Sequence, residues 1–147
     1  MVVRNRRALH DYHVEERYEA GLVLLGSEVK SLREGKAQLQ DAYVDLVEGE
    51  LFLIGSHISP YNYSSYLNHE PTRNRKLLLH AREISKIRKR IELKGYTAIA
   101  LSIYLKNGLF KVEIGLAVGK KNYDKRHDLR KAEENRDMRR AFRESNR

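Results

Sequence analysis

Residues 109–126 set the strongest limit on the fold, because two kinds of sequence meet inside this one stretch. In its first half the apolar residues occupy one parity, namely Phe110, Val112, Ile114, Leu116 and Val118. A period of two predicts a strand with one face against a core. The alternation stops at Gly119, and cationic residues follow around Tyr123. The chain is therefore predicted to divide into a packed domain, residues 1–119, and a basic tail, residues 120–147.

The charge of the chain is strongly positive and unevenly distributed. Its 147 residues carry a formal net charge of +9, with an isoelectric point of about 9.8. The predicted tail alone contains 11 basic and 6 acidic side chains. Because each cation that neutralises a phosphate releases counterions, a surplus of this kind favours a nucleic acid as partner.

Sequence features that are missing argue against several other classes of protein. There is no cysteine, which excludes disulfides and thiolate metal sites. No apolar run approaches the roughly 20 residues that span a bilayer, and the N-terminus lacks the apolar core of a signal peptide. We therefore expect a cytoplasmic protein with no membrane partner.

Alternating patterns predict about six strands. Besides the strand that begins at Leu109, they include Tyr12–Leu25, Tyr43–Val47, Leu51–Ser56 and Thr97–Leu105. The short sequences Glu48-Gly49-Glu50 and Asn107-Gly108 predict two hairpins, since tight hairpin turns need residues that accept positive φ. Gly21 predicts a bulge or bend within the first long strand.

Two segments have the period of a helix. Gly26–Gly35 is predicted to be a short helix with Ser27 as its N-cap and Gly35 as the left-handed residue that ends it. Within Lys76–Lys94 the apolar residues recur every three to four positions, which predicts an amphipathic helix stopped by Gly95.

The remaining segments connect these elements. Residues 4–10 are expected to form a surface arm or a single turn, and His57–Arg75 a long irregular loop of the kind that is usually functional or mobile. The predicted fold class is mainly β, a small antiparallel OB-like β-barrel with two or three helices and a basic C-terminal tail. Because the tail has no single apolar stripe, we expect it to be disordered alone and to become helical on a negatively charged partner.

The sequence has no constellation typical of an enzyme. His10 and His13 would point to opposite faces of a strand, and no third ligand follows at a metal-binding spacing. A phosphate-cradling glycine loop and a nucleophile elbow are both missing from the sequence. We therefore expect no catalytic residue, no metal and no cofactor. If the chain were an enzyme after all, a nuclease or another RNA-processing enzyme would be the alternative, and turnover of RNA would reveal it.

Several tyrosines lie among cations. Tyr61 and Tyr63 are close in sequence to Arg73 and Arg75, and Tyr123 lies inside a cluster of basic residues. Aromatic rings stack on bases while neighbouring cations hold phosphates, which is how barrel proteins bind unpaired nucleotides. The pattern favours RNA binding.

Seven motifs in order resemble those of the small protein B family, the SsrA-binding proteins that partner transfer-messenger RNA. The resemblance covers nearly the whole chain and rests on Asn5-Arg6-Arg7-Ala8 with His10-Asp11-Tyr12, Tyr18-Glu19-Ala20-Gly21, Gly26-Ser27-Glu28-Val29-Lys30-Ser31-Leu32-Arg33, His57-Ile58-Ser59-Pro60-Tyr61, Asn68-His69-Glu70-Pro71, Arg75-Lys76-Leu77-Leu78-Leu79-His80, and Gly119-Lys120-Lys121 with Tyr123-Asp124-Lys125-Arg126. Two positions depart from the family pattern: Ser64 stands where glycine is common, and Ala100 where proline is frequent.

The resemblance implies an RNA-binding adaptor of trans-translation. Such an adaptor binds the tRNA-like domain of transfer-messenger RNA and delivers it to stalled ribosomes, where its tail occupies the empty decoding site of the small subunit and the mRNA path. The elongation factor that carries aminoacyl-tRNA would be an indirect partner. By motif match, the candidates for RNA binding are Asn5, Glu19, Leu78 and Lys111. The candidates for ribosomal engagement by the tail are Gly119, Lys120, Lys121, Tyr123, Asp124, Lys125 and Arg126.

A second interpretation stays open on the sequence alone. The chain could be a generic barrel-type protein for single strands or ribosomal RNA, with the tail acting only as an electrostatic anchor. Under that interpretation Tyr123 would matter little. Whether Leu78 belongs to the core or faces RNA is also open at this point.

Overall fold

A computed structural model describes residues 3–61, 68–120 and 136 of the chain. Within these ranges the elements follow one another as β1 (Val3–Arg4), α1 (Ala8–Asp11), β2 (Tyr12–Leu22), α2 (Gly26–Arg33), β3 (Ala37–Gln38), β4 (Tyr43–Val47), β5 (Glu50–Ile54), β6 (His57–Ile58), β7 (Arg75–Leu78), α3 (Ala81–Ile91), β8 (Tyr96–Lys106) and β9 (Leu109–Gly119). Strands outnumber helices, as the alternating sequence patterns predict.

Six strands form a closed ring. Neighbours pair in the order β8–β4–β5–β7–β2–β9, and β9 pairs back to β8, always antiparallel. The short strand β1 pairs with β8 as well. Because closure pairs both edges of each barrel strand, it removes the free sheet edges that promote aggregation. The predicted mainly β, antiparallel barrel is confirmed.

The barrel interior holds the hydrophobic core. The strand residues of this core include Leu53, Leu77, Ile103 and Ile114, which are almost fully buried. Ile87 of α3 is completely buried against the same cluster, and Ile84 and Ile91 pack beside it. The apolar stripe of α3 therefore covers the barrel core, while the charged face of the helix stays in solvent.

A second, smaller cluster lies on the outer side of the barrel. Ala8 of α1 packs with Ile99, Leu101 and Ala117, and all four are buried. The sequence predicts a sheet with one solvent-exposed face, but β8 is buried on both faces in this region because α1 covers it. The expected single turn at residues 4–10 is present as α1, although it is packed rather than a free arm.

Both predicted hairpins are confirmed by their backbone angles. Glu48 and Gly49 have φ values of 52° and 81°, and Asn107 and Gly108 have 52° and 78°. Two consecutive residues with positive φ are the signature of the type I′ turn that suits the twist of paired strands. These turns fix the registers of β4 with β5 and of β8 with β9.

Several local predictions are wrong. The expected irregular loop His57–Arg75 is a strand at both ends, since His57–Ile58 forms β6 and Arg75 begins β7. The amphipathic helix begins at Ala81 instead of Lys76, because Arg75–Leu78 forms β7 and closes the ring between β5 and β2. The bulge of β2 lies between Val14 and Glu16, not at Gly21. Leu25, not Ser27, is the N-cap residue of α2.

Candidate nucleic-acid interface

One row of residues crosses four strands on the outer face of the barrel. The registers place Leu78 of β7 opposite Gly21 of β2, Gly21 opposite Lys111 of β9, and Lys111 opposite Tyr104 of β8. Leu78 is 53% exposed, so it faces solvent and not the core. The row therefore combines an apolar, a cationic and a phenolic side chain on one surface.

Gly21 leaves room at the centre of this row. A Cβ atom at this position would lie 3.3 Å from Leu78 Cβ and 3.7 Å from Lys111 Nζ. Its φ is not in the left-handed region, so the glycine is needed here for space and not for backbone conformation. The missing side chain keeps a depression between Leu78 and Lys111.

A groove of about 550 Å³ opens over this depression. Its lining residues are Glu19, Gly21, Leu78, Leu79, His80, Glu83 and Lys111. Three of the four predicted RNA-binding residues thus converge in one groove, although they lie far apart in the sequence. We call this site the β2–β7–β9 groove.

Glu19 is held in its ionised form at the border of the groove. Its carboxylate accepts a hydrogen bond from Tyr104 Oη and another from Lys106 Nζ, at 3.2 Å to Oε1. The hydrogen bond from Tyr104, followed by that from Lys106, lowers the pKa of Glu19. Burial, together with the same bond to Glu19, raises the pKa of Tyr104. The site therefore presents an oriented carboxylate acceptor beside the ammonium group of Lys111.

Asn5 lies outside the β2–β7–β9 groove. Its side chain is buried, and Nδ2 donates hydrogen bonds to the carbonyl oxygens of Leu39 and Ala100, at 3.0 Å and 2.9 Å. Its backbone N–H donates to Leu101 O at 2.8 Å. These bonds hold the N-terminal segment on the barrel, and the structure does not bring Asn5 together with the other three predicted residues.

Most of the predicted tail site lies outside the described residues. Gly119 is the last residue of β9 and pairs with Tyr12, and Lys120 follows as an exposed residue. Lys121, Tyr123, Asp124, Lys125 and Arg126 are not among the described residues. Gly119, the residue before the predicted tail, therefore lies beside the start of β2.

A buried polar network connects two of the sequence motifs, those that contain Glu28 and Arg75. Glu28 of α2 accepts hydrogen bonds from Arg75 Nε at 2.5 Å and from Arg73 Nη2 at 2.6 Å. Arg75 is fully buried and also donates to Ser56, through both its Oγ and its carbonyl oxygen. Burial would raise the pKa of Glu28, but the hydrogen bonds from Arg73, from the Leu25 N–H and from Arg75 outweigh it, so the pKa is lowered.

A histidine extends this network to the loop. The ring of the buried His69 lies 2.9 Å from Ser27 Oγ through Nδ1 and 2.8 Å from Ile58 O through Nε2. Asn68 and Tyr61 exchange two hydrogen bonds, and Lys30 lies over the Tyr61 ring, 5.4 Å from its centroid. The side chain of Ser27, which the sequence predicts to cap the helix, instead contacts His69 and so joins α2 to the loop. Tyr63 lies outside the described residues.

Four residues that line the groove are not identified by the sequence analysis as parts of a site, namely Gly21, Leu79, His80 and Glu83. Gly21 is interpreted there as a bulge or bend, and the other three carry no assignment. Tyr104, which donates a hydrogen bond to Glu19 at the border of the groove, is not identified either. The sequence does contain a signal for Tyr104. The Asn107-Gly108 turn sets the register of the hairpin, and this register pairs Tyr104 with the predicted site residue Lys111. His80 and Glu83 enter the groove only because α3 starts after β7.

The described ranges 3–61 and 68–120 with residue 136 contain no group of three or more His, Cys, Asp or Glu side chains placed to hold a metal ion, so His10 and His13 belong to no such group. Helices long and apolar enough to cross a membrane are likewise not found among these residues.

The closed antiparallel barrel defines a small OB-like barrel protein with a groove on its outer face that is lined by both charged and apolar residues. A family model described as SmpB protein matches residues 2–144. The chain therefore belongs to the SmpB protein family, and the resemblance drawn from its motifs is confirmed.

Full-length relatives and a solved structure agree with this assignment. The chain is 52% identical over 144 residues to the SsrA-binding protein of Geobacter metallireducens, which covers 98% of this chain and 94% of that one. It is 54% identical over 148 residues to the SsrA-binding protein of Roseiflexus sp., a match that covers 100% of this chain and 94% of that one. A chain in the solved structure described as "tmRNA-SmpB: a journey to the center of the bacterial ribosome" matches with a TM-score of 0.68 and 47% identity, over 80% of this chain and 82% of that one.

Proposed function

We propose that this chain is an RNA-binding adaptor of trans-translation, which binds the tRNA-like domain of transfer-messenger RNA and delivers it to stalled ribosomes. Its relatives carry the name SsrA-binding protein, and the description of the similar solved structure names tmRNA-SmpB and the bacterial ribosome. The observation that carries the proposal is the convergence of Glu19, Leu78 and Lys111 in one exposed groove.

Each of these three side chains has a separate role in the proposal. The ammonium group of Lys111 neutralises a phosphate. The ionised carboxylate of Glu19 cannot attract phosphate, so it accepts a hydrogen bond from a ribose 2′-hydroxyl or a base amino group. The exposed half of Leu78 packs against a ribose or a base. Asn5 contributes by holding the N-terminal segment in place, not by facing the groove.

The proposed division of labour follows the boundary at Gly119. Residues 1–119 form the RNA-binding barrel, and residues 120–147 form a tail that folds in the decoding site and the mRNA path. In the tail, Lys120, Lys121, Lys125 and Arg126 supply cations, and Tyr123 supplies an aromatic stacking surface near Asp124. The protein acts by shape and charge, without catalysis, and the elongation factor that carries aminoacyl-tRNA is an indirect partner.

Truncation after Gly119 tests this division. The shortened chain is expected to keep most of its affinity for the tRNA-like domain, because the groove is intact, but to lose tagging of stalled products. The measurements are RNA binding by filter retention and tagging in a reconstituted translation reaction. Tyr123→Ala in the full chain is the finer variant, with Phe142→Ala as a matched aromatic control in the same tail. Parallel loss of RNA binding and tagging in the truncated protein would contradict the division.

A further inference from the structure

The solvent-facing side of α3 carries a cationic stripe that begins beside the β2–β7–β9 groove. Arg82, Lys86 and Lys89 are spaced by four and three residues, which at 3.6 residues per turn places them on one side of the helix. The apolar Ile84 and Ile87 lie on the opposite side, against the core. The stripe therefore points directly away from the barrel.

The position of α3 makes this stripe a continuation of the groove. His80 and Glu83, at the start of the helix, line the groove together with Glu19. At the other end, Arg90 lies 3.7 Å from a Glu15 carboxylate oxygen and 3.6 Å from one of Glu16. The helix therefore runs along β2, away from the groove, and the stripe extends over about 10 Å of its axis.

The cations of the stripe differ from many other cations of the chain because they form no ion pair with a carboxylate of the described residues. Arg17 pairs with Glu113, Lys106 with Glu19, Lys76 with Glu50, and both Arg73 and Arg75 with Glu28. Among the described residues, Arg82, Lys86 and Lys89 are exposed and make no ion pair. Cations that are not neutralised within the protein keep their full capacity to replace the counterions of a phosphate chain.

We propose that the stripe Arg82–Lys86–Lys89 binds the phosphate backbone of the same RNA whose bases and riboses contact the β2–β7–β9 groove. This inference rests on the proposed function and extends its RNA footprint along α3. The stripe would contribute affinity and orientation without reading sequence, since phosphate contacts carry no base information. The groove would supply the shape-dependent part of recognition.

The test compares two double variants of the full-length chain. Arg82→Gln with Lys86→Gln removes one arginine and one lysine from the stripe. Arg33→Gln with Lys36→Gln removes the same two residue types from exposed positions at the end of α2 and just beyond it, although Lys36, unlike the stripe residues, pairs with Glu34 at 3.1 Å. Glutamine keeps helix propensity, and all four side chains are exposed, so both variants are expected to stay folded, which circular dichroism checks.

The measurement is the affinity for the tRNA-like domain of transfer-messenger RNA across a salt series. In the stripe variant, we expect the slope of log K against log salt concentration to fall by about 1.5 and binding at 0.1 M salt to weaken about tenfold. The α2 variant should change affinity less than about twofold. The single variant Lys89→Gln should lower the slope by roughly half as much.

Equal slopes for the two double variants would overturn the proposal, because bulk charge alone would then explain the binding. Unchanged RNA binding with reduced tagging would overturn it as well, since the stripe would then contact a protein or the ribosome. The proposed function is judged separately, from the preference of the wild-type chain for the tRNA-like domain over an ordinary tRNA. If that preference is missing, the proposed function fails, while the slopes still decide the role of the stripe.

Discussion

Leu78 is an exposed leucine at the contact between β7 and β2. It belongs to a short barrel strand between the buried Leu77 and the half-buried Leu79, and more than half of its surface is in solvent. Gly21 lies opposite it in the neighbouring strand and leaves its side uncovered. Single exposed leucines are common on protein surfaces, and what distinguishes Leu78 is that it shares one groove with Lys111 and the carboxylate of Glu19.

We predict that Leu78→Ala weakens binding to the tRNA-like domain by about 1 kcal/mol, roughly fivefold, because a half-exposed leucine has about half of its burial free energy left to gain. The free energy of unfolding should change little, since the side chain is not in the core. The matched control is Leu93→Ala, which removes a leucine that is 51% exposed just beyond the far end of α3. Equal effects of the two variants on RNA affinity would contradict the role of Leu78. Filter binding and urea denaturation measure the two quantities.

At the scale of elements, the buried pair of Glu28 and Arg75 joins α2 to β7 and to the loop before it. Both side chains are completely buried, and Arg73 adds a second cation on the same carboxylate. Removing one partner of such a pair leaves an uncompensated charge in the interior, which is more costly than the pair itself is favourable. The network therefore stabilises the strand that carries Leu78 and the segment that carries Asn68 and His69.

This network predicts a specific dependence of stability on pH. The pKa of Glu28 is lowered in the folded protein, so the ionised carboxylate stabilises the fold above the ordinary pKa of 4.5. As the pH falls through 4.5, Glu28 takes up a proton in the unfolded chain before it does so in the folded protein. The contribution of its ionised carboxylate to the free energy of unfolding therefore decreases, and it is lost once the pH is below the lowered pKa of Glu28 in the folded protein. Glu28→Gln should remove this part of the dependence and lower stability at pH 7 by about 3–5 kcal/mol.

Urea denaturation between pH 3 and pH 7 measures the effect, with Glu50→Gln as the control. Glu50 pairs with Lys76 at 3.2 Å, but both side chains are largely exposed, so its loss should cost less than about 1 kcal/mol. A Glu28→Gln protein with the same stability and the same pH dependence as the wild type would show that the network is not structurally important.

At the scale of the whole molecule, the sequence predicts the barrel because its signals are local. Alternation over Thr97–Leu105 and the Asn107-Gly108 turn together specify the β8–β9 hairpin without any long-range information. In contrast, β7 is four residues long, and its leucines also fit the period of the helix that follows. Only its pairing with β5 and β2 identifies it as a strand, and that pairing is not written in the local sequence.

The candidate site likewise has parts that the local sequence predicts and parts that depend on long-range pairing. Motif resemblance selects Glu19, Leu78 and Lys111, but their meeting in one groove depends on registers between strands that are far apart in the chain. The hydrogen bond from Tyr104 to Glu19 joins β8 to β2, and Glu83 lines the groove from α3, so both contributions depend on contacts between distant parts of the chain. Asn5 is selected by the same resemblance, yet its side chain is used inside the protein. The roles of the tail residues stay predictions.

The most direct test of the account measures binding of the full-length protein to the tRNA-like domain of transfer-messenger RNA and to an ordinary tRNA across one salt series. We expect a clear preference for the tRNA-like domain that persists as salt rises, because the groove supplies contacts that counterions do not screen away. Equal affinities that fall in parallel would contradict the account, since counterion release alone would then hold the RNA.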